Sequence, residues 1–164
     1  MKILITGSKG QLELTKQLTG NKEYELILTD RDELNIVDVD NVNEVILSNK
    51  PDVVINCAAH TAVDLCETDI ENAYKINAIG PRNLAIACEK IGAKLVQVST
   101  DYVFDGQGTT PWKPDCKDYK PLNVYGQTKL LGEQAVANTL EKYFIVRIAW
   151  VFGQNGKNFI KTML

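Results

Sequence analysis

The chain holds one histidine and four cysteines, and no two cysteines stand in C-x-x-C spacing. Cys57, Cys66, Cys88 and Cys116 therefore do not form a zinc ligand set, and one histidine adds little to them. No metal is expected. Cys57 lies in an apolar run, where cysteine acts as a small hydrophobe, so the thiols read as reduced and the protein as cytoplasmic. Long hydrophobic runs are also lacking: nothing approaches the roughly 18 apolar residues that span a membrane. The start MKILITG has one lysine and few apolar residues before Gly7, which does not fit a secretion signal. Excess positive charge is absent too. Eighteen basic residues face 21 acidic ones, for a net charge of −3. That balance excludes a module that binds nucleic acid by neutralising phosphates.

What is present suffices for one ordinary domain. The 164 residues are 45% hydrophobic and 24% charged, which favours a folded core over disorder. Ile3-Leu4-Ile5 predicts a strand buried on both faces and ending at Thr6-Gly7. A short helix is expected over residues 11–19, and a second strand from Tyr24 to Thr29. Leu34 to Val37 reads as a short edge strand. Val39, Val42, Val45, Ile46 and Leu47 recur at helical spacing until Pro51-Asp52, and Val53 to Asn56 forms the next strand. Residues 67–90 read as a helix with a kink or restart at Pro81. Leu95 to Val98 is a strand running into Ser99-Thr100. Residues 103–123 lack periodicity, and a loop of that length in a compact domain usually has a function. A helix over 124–141, a strand from Phe144 to Trp150 and a helix beginning at Asn158 complete the pattern. Alternating strands and helices mean right-handed β-α-β units and an α/β, doubly wound, mostly parallel, Rossmann-like sheet. No linker divides residues 1–164, so they form one domain.

Two motifs carry chemistry. Gly7-Ser8-Lys9-Gly10 follows the first strand and precedes a helix, where glycines let the backbone turn sharply and approach a pyrophosphate at the helix N-terminus. Asp30 ends the second strand, where a carboxylate can accept hydrogen bonds from ribose hydroxyls. Arg31 beside it could meet a 2′-phosphate, so NADPH and NADH both remain open as cofactors. Glu13 occupies the position where a third small residue is expected. The second motif is Tyr125-x-x-x-Lys129, an i, i+4 pair on one helix face. A lysine cation beside a phenol is expected to lower its pKa and ease proton exchange. Ser99-Thr100-Asp101 lies at the C-terminal end of a strand expected to be central, the edge where open parallel sheets bind ligands. Thr100 would hold a carbonyl oxygen, Tyr125 would protonate it, and Lys129 would tune Tyr125 and hold a ribose. His60 reads either as a loop histidine bonded to backbone or as part of the site. Trp150 is either core or ligand-facing. Trp112 either covers a ligand or anchors the long loop.

The stretches MKILITGSKGQL, NCAAHTAVDLCE, YKINAIGPRNLA, VQVSTDYVFDG, PLNVYGQTKLLGE, VRIAWVFG and NFIKTML together resemble the extended short-chain dehydrogenase/reductase superfamily. Within it they are most similar to the dTDP-4-dehydrorhamnose reductase family. The resemblance implies that Gly7, Gly10, Gln11 and Leu12 contact the cofactor pyrophosphate region, that Asp30 binds the adenine ribose, and that Asp38 and Val39 flank the adenine. Ala59, His60 and Thr61 would line the nicotinamide side, with Tyr125 and Lys129 also touching the cofactor. Thr100, Tyr125 and Lys129 match the catalytic set. Thr100, Asp101 and Trp150 match positions that contact a sugar nucleotide. The implied reaction is NAD(P)H-dependent reduction of dTDP-4-dehydro-6-deoxy-L-mannose to dTDP-L-rhamnose.

Two departures from the family pattern stand out. Glu13 replaces its third glycine, and family chains are nearly twice this length. The expectation is therefore a domain cut before the region that completes the substrate pocket, with an exposed final strand prone to self-association. No nucleic acid or membrane partner is expected, and homo-oligomerisation is left open. Two other readings stand beside the reductase. One is a non-catalytic nucleotide- or partner-binding homologue, or an inactive fragment. The other is an epimerase or dehydratase of the same superfamily, against which no Glu follows Asp101.

Overall fold

The computed structural model describes residues 1–10, 12, 18–153 and 159–163. The expected helix over 11–19, with Gln11 and Glu13, lies almost wholly outside the described residues. Five strands form one sheet: β1 (Lys2–Thr6), β2 (Glu25–Leu28), β3 (Val53–Asn56), β4 (Lys94–Thr100) and β5 (Tyr143–Ile148). Their order is β2-β1-β3-β4-β5, and every pairing is parallel. This is the Rossmann-like arrangement read from the alternation of elements. The chain leaves β1 for one neighbour and returns to the other side for β3. The C-terminal ends of β1 and β3 therefore open the crevice that such sheets use for ligands.

Hydrophobic register explains the core. Leu4 pairs with Val54 and Val54 with Leu95, a row of fully buried side chains across three strands. Helices α1 (Val39–Asn49), α4 (Gly80–Ile91) and α5 (Val124–Thr139) supply Val42, Ile46, Leu84, Cys88 and Val136 to the same cluster. Short helices α2 (Val63–Cys66) and α3 (Ile70–Tyr74) precede a π-helical turn at Lys75–Ile79 that leads into α4, and α6 covers Phe159–Met163. Pro81 sits in the first turn of α4, directly after the π turn, within a helical run that is unbroken from Ile70 to Ile91. The irregularity expected at Pro81 falls one turn earlier, as the π turn.

Local polar chemistry sets the ends of these elements. The Asp38 carboxylate accepts from the Asp40 and Asn41 N–H groups and caps α1. Lys50 takes a left-handed conformation with φ 47° and closes α1 before Pro51. Asn123 caps α5 by accepting from the Gly126 N–H at 2.8 Å.

The edge strand expected at Leu34–Val37 is not there. Leu34 N–H donates to the Asp30 carbonyl, Val37 N–H to the Asn35 side chain, and Asp38 N–H to the Asn35 carbonyl. These local bonds occupy groups that a strand would offer to a ladder. Leu34 and Ile36 are buried all the same, as loop residues that plug the core. At the other edge, β5 exposes Phe144 (61%) and Val146 (43%) on one face, as expected for the final strand. It ends at Ile148, two residues before Trp150.

Candidate active site

The glycine turn after β1 is held against the sheet. Gly7 has φ +60°, and a Cβ there would lie 3.0 Å from the Ala58 backbone nitrogen. A side chain is therefore excluded twice, by backbone conformation and by the close approach of the segment after β3. Gly10 N–H donates to the Gly7 carbonyl at 3.0 Å and tightens the turn. Asp30 ties the turn to the end of β2: one carboxylate oxygen accepts from the Lys9 N–H at 3.2 Å, the other from the Arg31 N–H at 3.3 Å. A carboxylate offers about four lone-pair sites, so capacity for hydroxyl donors remains.

These residues border a cleft of about 860 Å³ over the C-terminal ends of the strands. That volume suits a nucleotide-sized ligand. Gly7, Gly10, Leu12 and Asp30 line one part of it, and Thr100, Asp101, Tyr125, Lys129 and Trp150 another, with Ala59 and Thr61 also on the wall. The structure thus brings together most of the residues singled out in the sequence. Among the described residues expected to touch cofactor or substrate, three line no part of it. Asp38 is engaged in capping α1, and Val39 is the exposed first residue of that helix. Their place on the wall is taken by the loop Leu34–Val37. His60 directs its ring toward Cys66 (Nδ1 to Sγ, 3.3 Å) and Asp69 (Nε2 to Oδ2, 3.5 Å). Its backbone is clamped by Asn77, which accepts from the His60 N–H and donates to its carbonyl. The His60 ring thus meets two side chains, Cys66 and Asp69, while its backbone is held by a third, Asn77.

The reacting end is built by β4 and α5. The Thr100 hydroxyl donates to Asp101 Oδ1 at 3.1 Å and accepts from the Tyr102 N–H at 3.2 Å. Tyr125, in the first turn of α5, faces Thr100 across the cleft wall. Burial raises the Tyr125 phenol above its ordinary value, and the Thr100 hydroxyl opposes this. Lys129, one helical turn on, is buried and donates its amine to the Val98 carbonyl at 2.7 Å. Burial pulls Lys129 down to about 8, against Glu133 and Cys57, which raise it. The expectation that Lys129 lowers the Tyr125 phenol is thus corrected: desolvation dominates the phenol, and its opposing partner is Thr100.

Beneath the cleft runs a buried polar chain that the sequence reading missed. Thr6 donates to Asn56 at 2.6 Å, Asn56 to Gln97 at 2.8 Å, and Gln97 to the Val98 carbonyl at 2.8 Å. Thr6 and Asn56 end their strands, but Gln97 lies in the middle of β4, so no linear pattern links the three. Asn77 was missed as well; it joins His60 to Thr128 of α5. Among the described residues, Ser99 Oγ is the one buried side-chain polar atom with no hydrogen-bond partner. An unpaired buried hydroxyl costs about 1–3 kcal/mol.

The long loop is fastened beside the site. Phe104 and Trp112 stack at 4.5 Å with planes 9° apart, and Arg147 lies over the Phe104 and Tyr119 rings. Trp112 therefore packs within the loop. Arg147 also makes a forked pair with Glu133, at 2.9 and 2.6 Å, and donates to the Tyr119 hydroxyl.

The family model of the RmlD substrate binding domain matches residues 1–164. Spore coat polysaccharide biosynthesis protein SpsK of Bacillus subtilis is 42% identical, over 99% of this chain and 58% of its own length. A dTDP-4-dehydrorhamnose reductase of Aggregatibacter actinomycetemcomitans is also 42% identical, over 99% of this chain and 56% of its own. Among solved structures, a dTDP-4-dehydrorhamnose reductase of Clostridium acetobutylicum superposes with a TM-score of 0.95 at 54% identity. One from Bacillus anthracis, in complex with NADP, gives 0.90 at 42% identity. Each covers 99% of this chain and 58% of the solved one. The chain spans a little over half the length of the relatives it matches.

Proposed function

This chain belongs to the RmlD substrate binding domain family, and we propose on that footing that it is the dinucleotide-binding part of an NAD(P)H-dependent reductase of a sugar-nucleotide ketone. The substrate we infer is dTDP-4-dehydro-6-deoxy-L-mannose, reduced at its 4-keto group to dTDP-L-rhamnose. The observation that carries the reading is one cleft lined both by the Gly7–Gly10 turn with Asp30 and by Thr100, Tyr125 and Lys129.

The residues fit a nicotinamide dinucleotide. The turn at Gly7 is a cradle that a Cβ would fill, and Ser99 leaves a buried hydroxyl unpaired in the cleft wall. Gly7, Gly10 and Leu12 would face the pyrophosphate, and Asp30 the adenine ribose. Ala59, Thr61 and Lys129 would border the nicotinamide side. Lys129 has three N–H donors and gives one to Val98, so two remain for ribose hydroxyls. Gln11 belongs to the same proposal but lies outside the described residues. When bound, the reduced nicotinamide supplies a hydride.

The chain's own residues orient the ketone and deliver the proton. Thr100 and Tyr125 place two hydroxyls side by side to hold the carbonyl oxygen. Burial keeps the Tyr125 phenol protonated at neutral pH, the state a proton donor requires. Asp101 and Trp150 lie on the same wall and would meet the sugar nucleotide.

Fluorescence titration of the purified protein with NADPH and NADH tests the cofactor half, and micromolar binding is expected. Tyr125→Phe in the full-length protein tests the chemistry. Reduction should fall at least about 100-fold while NADPH affinity stays within about twofold. Equal loss of both would remove Tyr125 from the proton-donor role, and no binding at millimolar cofactor would remove the reductase reading.

A further inference from the structure

We propose that the Ser99 hydroxyl binds the nicotinamide-ribose half of the dinucleotide, as donor or acceptor to its ribose hydroxyls or carboxamide. The inference rests on the dinucleotide reading above and adds a contact which that reading does not require.

Ser99 is an exception in a closed network. The other buried polar side chains Thr6, Asn56, Gln97, Thr100, Thr128, Lys129 and Glu133 each make a hydrogen bond. Ser99 is 3% exposed and its hydroxyl makes none. Buried hydroxyls in folded proteins are normally paired, so an orphan in a ligand cleft points to a partner that arrives with the ligand.

Its position says which ligand group that is. Ser99 stands between Val98, whose carbonyl holds Lys129, and Thr100, which meets Tyr125. β3 pairs with β4 no further than Asn56 opposite Gln97. Beyond that point β4 borders the crevice on its β3 side, while Ser99 still pairs with Arg147 on the other. β4 is three strands from β2, whose end carries Asp30. At about 4.8 Å per strand the two positions lie about 14 Å apart. A mononucleotide held at Asp30 and the glycine turn does not reach Ser99; a second ribosyl unit beyond the pyrophosphate is needed. A neutral hydroxyl also suits an alcohol or amide better than a phosphate, which charged groups and free backbone N–H groups recognise.

The test is Ser99→Ala, read by thermal unfolding without ligand and by titration with NADPH and with ADP. Deleting an unpaired hydroxyl leaves the ligand-free Tm unchanged or higher. NADPH affinity falls about 5- to 20-fold, roughly 1–2 kcal/mol, and ADP affinity stays within twofold. A lowered Tm with NADPH and ADP weakened together would assign Ser99 a structural role and overturn the proposal. Unchanged NADPH affinity would overturn it as well. If the unsubstituted protein binds neither NADPH nor ADP, the dinucleotide reading itself fails. If it binds both and Ser99→Ala binds NADPH equally well, only the Ser99 contact is lost.

Discussion

The Lys129 amine donates to the Val98 carbonyl at 2.7 Å, the same oxygen that accepts the Gln97 amide at 2.8 Å. A cation from α5 is thereby fixed to the β4 backbone at the floor of the cleft. Through Gln97 and Asn56 this oxygen is linked to Thr6 on β1. Lys129 is therefore positioned by the sheet before any ligand arrives, and its burial carries a measurable cost.

That cost predicts a pH dependence. Burial lowers Lys129 from 10.5 to about 8. Between those values the unfolded chain holds a proton that the folded chain has released. Stability attributable to Lys129 therefore rises with pH across the window, and below pH 8 the whole penalty is present. Two to three pKa units correspond to about 3 kcal/mol. Lys129→Met is expected to be about 1–3 kcal/mol more stable at pH 7, with the advantage shrinking toward pH 10. Urea unfolding of both proteins at the two pH values measures it. A variant less stable at pH 7 would mean that the bond to Val98 outweighs the burial.

The pair Arg147–Glu133 predicts a large stability loss. Glu133 is 3% exposed, and Arg147 both forks onto it and holds Tyr119 of the long loop. Arg147→Ala leaves a buried carboxylate uncompensated, and a loss of about 3–5 kcal/mol is expected. Arg147→Lys keeps the charge but loses the planar fork, and should fall between the two. Denaturant midpoints give the order. Trp112 fluorescence should shift in Arg147→Ala, because the Phe104 ring that Arg147 covers stacks on that indole. An unchanged midpoint would show that the pair contributes nothing.

Packing of α5 predicts a contrast among glycines. A Cβ on Gly132 would collide with the Asn77 carbonyl, and one on Gly126 with the Tyr102 carbonyl. Backbone cannot yield easily there. Gly132→Ala and Gly126→Ala should each cost at least about 1–3 kcal/mol. At Gly80 the obstacle is the end of the Ile36 side chain, 2.5 Å from the ideal Cβ, and a side chain can turn aside. Gly80→Ala should be the mildest of the three by calorimetry. Equal losses would contradict a backbone origin for the first two.

Much of the site was legible because it follows strict spacing. Tyr125 and Lys129 share a helix face by the 3.6-residue repeat, and Thr100 ends a strand that any parallel sheet directs to its ligand edge. Other outcomes turned on local chemistry. Asp38, placed beside the adenine by the resemblance, also caps α1 as the residue before that helix. Leu34–Val37 alternated like a strand, but Asn35 draws the backbone into turns. Nothing in a linear pattern announces the Thr6–Asn56–Gln97 chain, since its members are 50 and 41 residues apart.

The sequence by itself determined the order of elements, the parallel sheet and the residue types at its C-terminal edge, because apolar periodicity and turn chemistry act over a few neighbours. Only the tertiary structure decided what those residues do electrostatically. The phenol of Tyr125 is raised and the amine of Lys129 lowered by desolvation, and Ser99 is left without a partner. All three depend on how many protein atoms from distant segments replace water around a group, a quantity that only the packed fold fixes.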